Sequence, residues 1–191
     1  MQTCLQRIGI LAAAGAVALT AACGDDGSSF EAIYQVDAWT ENAASCDDGG
    51  ESVLESKSQT MFYVKLENFI GTEFLNVKFC DDQADCEMLA GDDETIYIGE
   101  FGFETGNDNG WTAGYFSGFP DNDDVCQGNW VETTLAPNGE AGVIIEERRT
   151  PAGGFAPDSD GFCDDEPGKQ AAQGQPCAEL ERLTATEVSG L

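Results

Sequence analysis

Residues 60–69, TMFYVKLENF, and residues 73–80, EFLNVKFC, alternate apolar and polar side chains. Phe62, Val64 and Leu66 share one face of the first stretch, with Lys65 and Glu67 opposite. Leu75, Val77 and Phe79 share one face of the second, with Asn76 and Lys78 opposite. A period of two in β-branched and aromatic residues marks a half-buried strand, because successive side chains of an extended chain point to opposite faces. The pattern spreads in both directions. Upstream, 30–40 (FEAIYQVDAWT) puts Phe30, Ala32, Tyr34 and Val36 on one face. Downstream it recurs in 94–104 (ETIYIGEFGFE), in 111–119 (WTAGYFSGF, with Trp111, Ala113, Tyr115 and Phe119 aligned), in 127–135 and in 141–149 (AGVIIEERR). The segment 178–188 is read as a last strand, although Leu180 and Leu183 would also suit one helical turn. A short strand is placed at 52–57.

The breaks are turn-like. Asp47-Asp48-Gly49-Gly50, Asn109-Gly110 and Pro137-Asn138-Gly139 are hairpin signals, glycine supplying positive φ without Cβ strain. Strands joined by short turns predict an all-β antiparallel meander, either an up-and-down (lipocalin-like) barrel or a sandwich. The region 30–191 reads as a single domain. Residues 150–176, rich in Pro, Gly and Asp, read as one long loop with a short helix over Lys169–Ala172.

Charge narrows the chemistry. The 191 residues carry 36 Asp and Glu against eight Lys and Arg, a formal net charge of −28, with no His. Without His there is no Ser-His-Asp or Cys-His catalysis and no His-ligated metal. The negative field repels nucleic acid and anionic headgroups. Hydrophobic residues at 41% and aromatics at 9% argue for a folded chain over a disordered one.

The N-terminus reads as an address. Residues 1–7 carry one positive charge, at Arg7, and residues 8–22 (IGILAAAGAVALTAA) are apolar or small. At ~1.5 Å per residue that run is too short to span a bilayer, and it fits a secretory signal peptide. Its end, Leu19-Thr20-Ala21-Ala22-Cys23-Gly24, resembles the lipobox of bacterial lipoproteins. The resemblance implies cleavage between Ala22 and Cys23, acylation of Cys23 and attachment to a membrane. Gly24, in the place where Asp favours inner-membrane retention, implies the cell outer membrane. Residues 23–29 then form a lipidated flexible tether, and the first partner is the membrane itself.

Of eight cysteines, Cys4 leaves with the leader and Cys23 takes the lipid, which leaves Cys46, Cys80, Cys86, Cys126, Cys163 and Cys177. An even number in an oxidising compartment predicts three disulfides. Loop length suggests Cys80–Cys86 across CDDQADC and Cys163–Cys177 across the C-terminal loop, with Cys46–Cys126 by remainder. No C-x-x-C pair supports a metal thiolate site.

Tests for chemistry leave three readings. Asp158-Ser159-Asp160-Gly161 resembles part of a calcium loop, but the first and twelfth places hold Ala156 and Pro167, so it is no EF-hand. A non-EF calcium site at Asp158, Asp160, Asp164 and Asp165, or at Asp121, Asp123 and Asp124, stays open; no other cofactor is expected. Gly114-Tyr115-Phe116-Ser117-Gly118 misplaces Ser for a nucleophile elbow. A glycosidase needs only two carboxylates, and Glu132, Glu146 and Glu147 lie on expected strands, where outward-facing positions are the simpler reading. Trp39, Trp111, Tyr115 and Trp130 are the candidate ligand-binding aromatics, for a small apolar ligand, a glycan or a protein partner. The leading expectation is a non-enzymatic outer-membrane lipoprotein with a binding or interaction role. The alternatives are a carboxylate-based polysaccharide hydrolase and a calcium-dependent adhesion or structural module.

Overall fold

The computed structural model describes residues 29–42, 46, 52–54, 57–69, 72–91 and 101–191. The expected leader, the expected cleavage site at Ala22, the expected lipid attachment at Cys23 and most of the expected tether lie outside the described residues, as do the expected 47–50 turn and the first part of the expected 94–104 strand.

The chain runs β1 (Ala32–Asn42), β2 (Ser52–Val53), β3 (Met61–Phe69), β4 (Thr72–Cys80), α1 (Gln83–Ala90), β5 (Phe101–Phe103), β6 (Thr105–Asn107), β7 (Gly110–Pro120), β8 (Cys126–Pro137), β9 (Gly142–Phe155), α2 (Asp165–Ala172) and β10 (Glu179–Gly190). All strands join one antiparallel sheet in the order β5-β4-β3-β1-β10-β9-β8-β7-β6, with β2 beside β1 off that path. The two ends of this order, β5 and β6, are separated in the chain by Glu104 alone. One stretch therefore leaves β4 and takes up β7, and the sheet curls into a nearly closed up-and-down barrel. Of the two architectures expected from the alternation, this is the barrel. Near-closure leaves less of the unpaired edge that an open sheet would expose.

The alternating residues meet inside. Phe30, Ala32, Tyr34, Phe62, Val64, Leu75, Val77, Phe103, Leu135, Val143, Ile145, Leu183 and Ala185 form one buried cluster with Trp39 and Trp111. Burying each large apolar side chain contributes roughly 1.5–3 kcal/mol, so this layer dominates stability. A register shift between Val36 and Ala38 turns β1. It moves Trp39, which simple alternation would send outward, onto the face of Tyr34 and Val36.

Two helices cover the outside. The structure corrects the reading of CDDQADC as a plain loop: Asp82 caps α1, its carboxylate accepting from Asp85 N at 2.9 Å. The helix lays Cys86 and Ala90 over Ile33 and Tyr63 of β1 and β3. The short helix expected at Lys169–Ala172 starts four residues earlier, as α2, and packs Ala172 against Phe116, Cys126 and Ala152. At Gly168 a Cβ would stand 2.6 Å from the Phe116 ring, so only glycine permits this approach.

The long loop is shorter than expected, because β9 continues through Thr150–Phe155. Beyond Arg149 it pairs with β8 only, since β10 begins opposite Arg149. An edge position needs no N–H from Pro151 and absorbs the Gly153-Gly154 bulge, where Gly154 has φ 83°. Composition alone hid this strand.

Three disulfides close the shell, and two of the expected pairings are wrong. Cys80–Cys86 stands, whereas Cys46 pairs with Cys177 and Cys126 with Cys163. Sheet order decides this. The end of β1 lies beside the start of β10, which brings Cys46 to Cys177. The start of β8 lies beside the end of β9, where the loop carrying Cys163 departs.

Candidate functional site in the barrel mouth

The two ends of the barrel differ. The chain enters at one, where Ser29 N donates to Asp108 Oδ1 at 3.5 Å and Leu191 N donates to Glu31 O at 3.5 Å. Phe30, 3% exposed, packs into the core beside this entry. At the other end β1 finishes and β10 begins, and the lining changes from apolar to charged.

That change is written in Glu146-Glu147-Arg148-Arg149. On a strand, alternation sends one acid–base pair to each face. Glu146 and Arg148 face out, and Glu146 meets Arg182 at 2.8 Å and Arg148 at 3.2 Å. Glu147 and Arg149 lie on the face of Val143 and Ile145. Arg149 donates to Glu147 Oε1 from Nε at 3.0 Å and from Nη2 at 2.7 Å, and to Glu179 Oε1 from Nη1 at 2.9 Å. Register places Glu41, Glu181 and Glu147 opposite one another across β1, β10 and β9. Like charges in direct opposition are destabilising unless cations stand among them. Arg149 and Lys57 are those cations.

These residues border a recess of about 230 Å³ lined by Trp39, Lys57, Gln59, Phe79, Glu147, Arg149 and Glu181. A second hollow of about 340 Å³ shares Gln59 and Phe79 and runs toward Asp81 and Asp85. Trp39 and Phe79 stack with centroids 5.2 Å apart. The Trp39 indole N–H donates to Glu181 Oε1. Lys57 Nζ sits 4.2 Å from the Trp39 ring centroid and 3.0 Å from the same Glu181 oxygen. Tyr115 stands at the rim, 49% exposed. Partial burial, and then the Glu147 charge, raise its phenol pKa, with Arg149 opposing.

The four expected aromatics thus part company. Trp39 and Tyr115 reach the mouth. Trp111 belongs to the packed core, and its indole N–H has no hydrogen-bond partner among the described residues. Trp130 does not line the interior: it lies outside, half-buried, packed against the cluster under α2, with Lys169 5.7 Å from its ring. Lys57, Arg149, Glu179 and Glu181 were not among the expected site residues, and Phe79 was expected only as an inward-facing strand residue. The one usable signal was the EERR alternation.

The acidic loop serves its own backbone. Asp158 Oδ1 accepts from Asp160 N at 2.9 Å and Phe162 N at 2.7 Å, and Asp165 Oδ1 accepts from Phe116 N at 2.7 Å. Asp164 is the N-cap residue of α2. Asp121 repeats the Asp158 pattern toward Asp123 N and Val125 N. Among the described residues no three acidic or Cys side chains are grouped to hold a metal ion.

No protein-family model, no curated protein and no solved structure matches the chain. The functional reading therefore rests on the mouth.

The outer pair carries a pH prediction. Burial pushes the Glu146 carboxyl up, but hydrogen bonds and charge from Arg182 and Arg148 outweigh it and hold its pKa below the ordinary 4.5. A lowered folded pKa contributes stability above the unfolded value and loses it as pH falls through the folded one. Glu146→Gln should cost stability at pH 7, and its gap from wild type should close as pH drops below 4.5. Urea denaturation of both proteins at several pH values checks this; a gap that stays constant would refute it.

Proposed function

We propose that this protein is a lipid-anchored, extracytoplasmic, non-enzymatic binding protein whose barrel mouth receives a small polar ligand. One observation carries the reading: the interior is packed with side chains, and an aromatic-floored, charged recess opens at the end opposite chain entry, beside the hollow that runs toward Asp81 and Asp85. The apolar side chains of the described residues fill the interior, which argues against a lipocalin-type apolar cargo, whereas polar groups converging on a small hollow are what a polar ligand requires. Anchored through Cys23 a few residues before Phe30, the domain would present this mouth away from the outer membrane. Three disulfides suit an oxidising exterior.

The hydrolase reading finds its two carboxylates, Glu147 and Glu181, opposite each other. Both are engaged by cations, though, and a general acid needs a carboxyl kept protonated by apolar surroundings. Against the calcium reading, Asp121, Asp158 and Asp165 each turn a carboxylate oxygen to backbone N–H groups, and among the described residues no three acids are grouped to hold an ion.

Two measurements test the proposal. Cys23→Ser should move the protein from the membrane fraction to the soluble one; unchanged fractionation refutes the anchor. A panel of amines, amino acids and neutral sugars, titrated against the full chain and followed by NMR, should include at least one saturable ligand perturbing the Trp39 indole and Tyr115. A panel that leaves both unchanged refutes the binding mouth.

A further inference from the structure

Lys57 already sits in the mouth as a ligand would. Its ammonium lies over the Trp39 face and against Glu181, which also accepts the Trp39 indole N–H and feels the Arg149 charge across the recess. An aromatic face with a carboxylate beside it is a cation site, because the ring quadrupole and the anion attract the same charge. The arrangement is held by backbone as well as side chains. Leu54 N donates to Trp39 O at 2.9 Å and Lys57 N donates to Leu54 O at 3.1 Å, so backbone bonds tie Leu54 to β1 and Lys57 to Leu54.

We propose that the Trp39–Glu181 seat binds the primary ammonium group of a small alkylamine, and that Lys57 is its built-in competitor. This deepens the binding-mouth reading and rests on it. Five observations point to this chemistry. The Lys57 side chain is itself an alkylammonium, so the geometry of the seated ligand is visible: 4.2 Å to the ring, 3.0 Å to the carboxylate oxygen. The Glu41-Glu181-Glu147 row concentrates negative charge across three neighbouring strands, while Arg149 is already engaged by Glu147 and Glu179. With Lys57 displaced, Glu181 loses its ammonium contact and is left to the longer-range attraction of Arg149. The side chain of Lys57 is 37% exposed, so it has a route out to water. The recess, about 230 Å³, suits a small molecule. A net charge of −28 also raises the local concentration of cations around the domain. An intramolecular ammonium at high effective concentration lowers apparent affinity for a free one, and removing it restores that affinity.

The experiment titrates n-butylammonium into the full chain and follows the Trp39 indole N–H resonance, assigned with Trp39→Phe. Wild type, Lys57→Ala and the double variant Lys57→Ala/Glu181→Gln are compared, each first shown folded by its melting transition. The expected result is a saturable shift in Lys57→Ala at a concentration about tenfold or more below that of wild type, lost in the double variant. 1-Butanol, of the same length but uncharged, should give no saturable shift. Absence of a saturable shift in folded Lys57→Ala, an equal response to 1-butanol, or indifference to Glu181→Gln overturns the ammonium seat. If a neutral sugar perturbs Trp39 while n-butylammonium does not, the ammonium seat falls and the binding mouth stands. If no compound perturbs Trp39 or Tyr115, both fall.

Discussion

Replacing Cys46 and Cys177 together by Ser should lower the unfolding free energy by about 5 kcal/mol, the largest loss expected from any of the three bridges. The bond closes a loop of sequence separation 131, against 37 for Cys126–Cys163 and 6 for Cys80–Cys86. In the chain-entropy model a cross-link acts on the unfolded ensemble, and its effect grows with the logarithm of loop length, giving about 4 kcal/mol for the second bridge and about 2 kcal/mol for the third. The ranking is the test. Denaturant unfolding of the three double-Ser variants under oxidising conditions should follow loop size; a loss from Cys80–Cys86 as large as that from Cys46–Cys177 would refute it. Peptide mapping without reduction gives an independent check, since a fragment joining Cys46 to Cys126 would overturn the observed connectivity. The consequence reaches the mouth. Cys46 Sγ lies 3.1 Å from Glu179 O, and Cys177 Sγ lies 3.4 Å from the same oxygen. Glu179 in turn holds Arg149 at 2.9 Å. Loss of this bridge should loosen the rim before it loosens the barrel.

Phe62→Ala should cost about 3–5 kcal/mol. Phe62 is fully buried on β3, stacked on Tyr34 with centroids 5.2 Å apart and edge-on to Phe79 at 5.8 Å. Closed strands on either side cannot collapse into the space, so the cavity term adds to the lost transfer energy. The urea midpoint should fall accordingly, and a loss of about 0.5 kcal/mol or less, the range of ordinary surface substitutions, would show that Phe62 is not part of the packed interior. Phe79 floors the recess and touches Phe62, so the same variant should also change the Trp39 indole resonance. The apolar layer and the charged mouth are in contact, and damage to one is read at the other.

Much of this fold was legible because strand alternation is local. Residues 62, 64 and 66 and residues 75, 77 and 79 point inward because the chain is extended, whatever its neighbours do. The sheet's curvature was not local. Nothing near Glu104 announces that one stretch will leave β4 and pair with β7, and that single step distinguishes barrel from sandwich. Trp39 was selected for being aromatic, yet it reaches the mouth through a register shift that periodicity cannot foresee. Glu181, Lys57 and Phe79 escaped notice because each is ordinary alone. Only together, from β10, the stretch before β3, and β4, do they make a seat for a cation.

By itself the sequence determined the class of the protein: an acidic chain without His, a set of half-buried strands, and six cysteines for three bridges. These follow from residue type and short spacing, where backbone geometry alone decides. The tertiary structure decided which cysteines meet, which aromatics face in, and where charge enters the barrel. Those outcomes depend on strand order and register, which bring residues more than a hundred positions apart within reach of one another. Trp39 and Glu181 are such a pair, 142 residues apart in sequence and joined by one hydrogen bond.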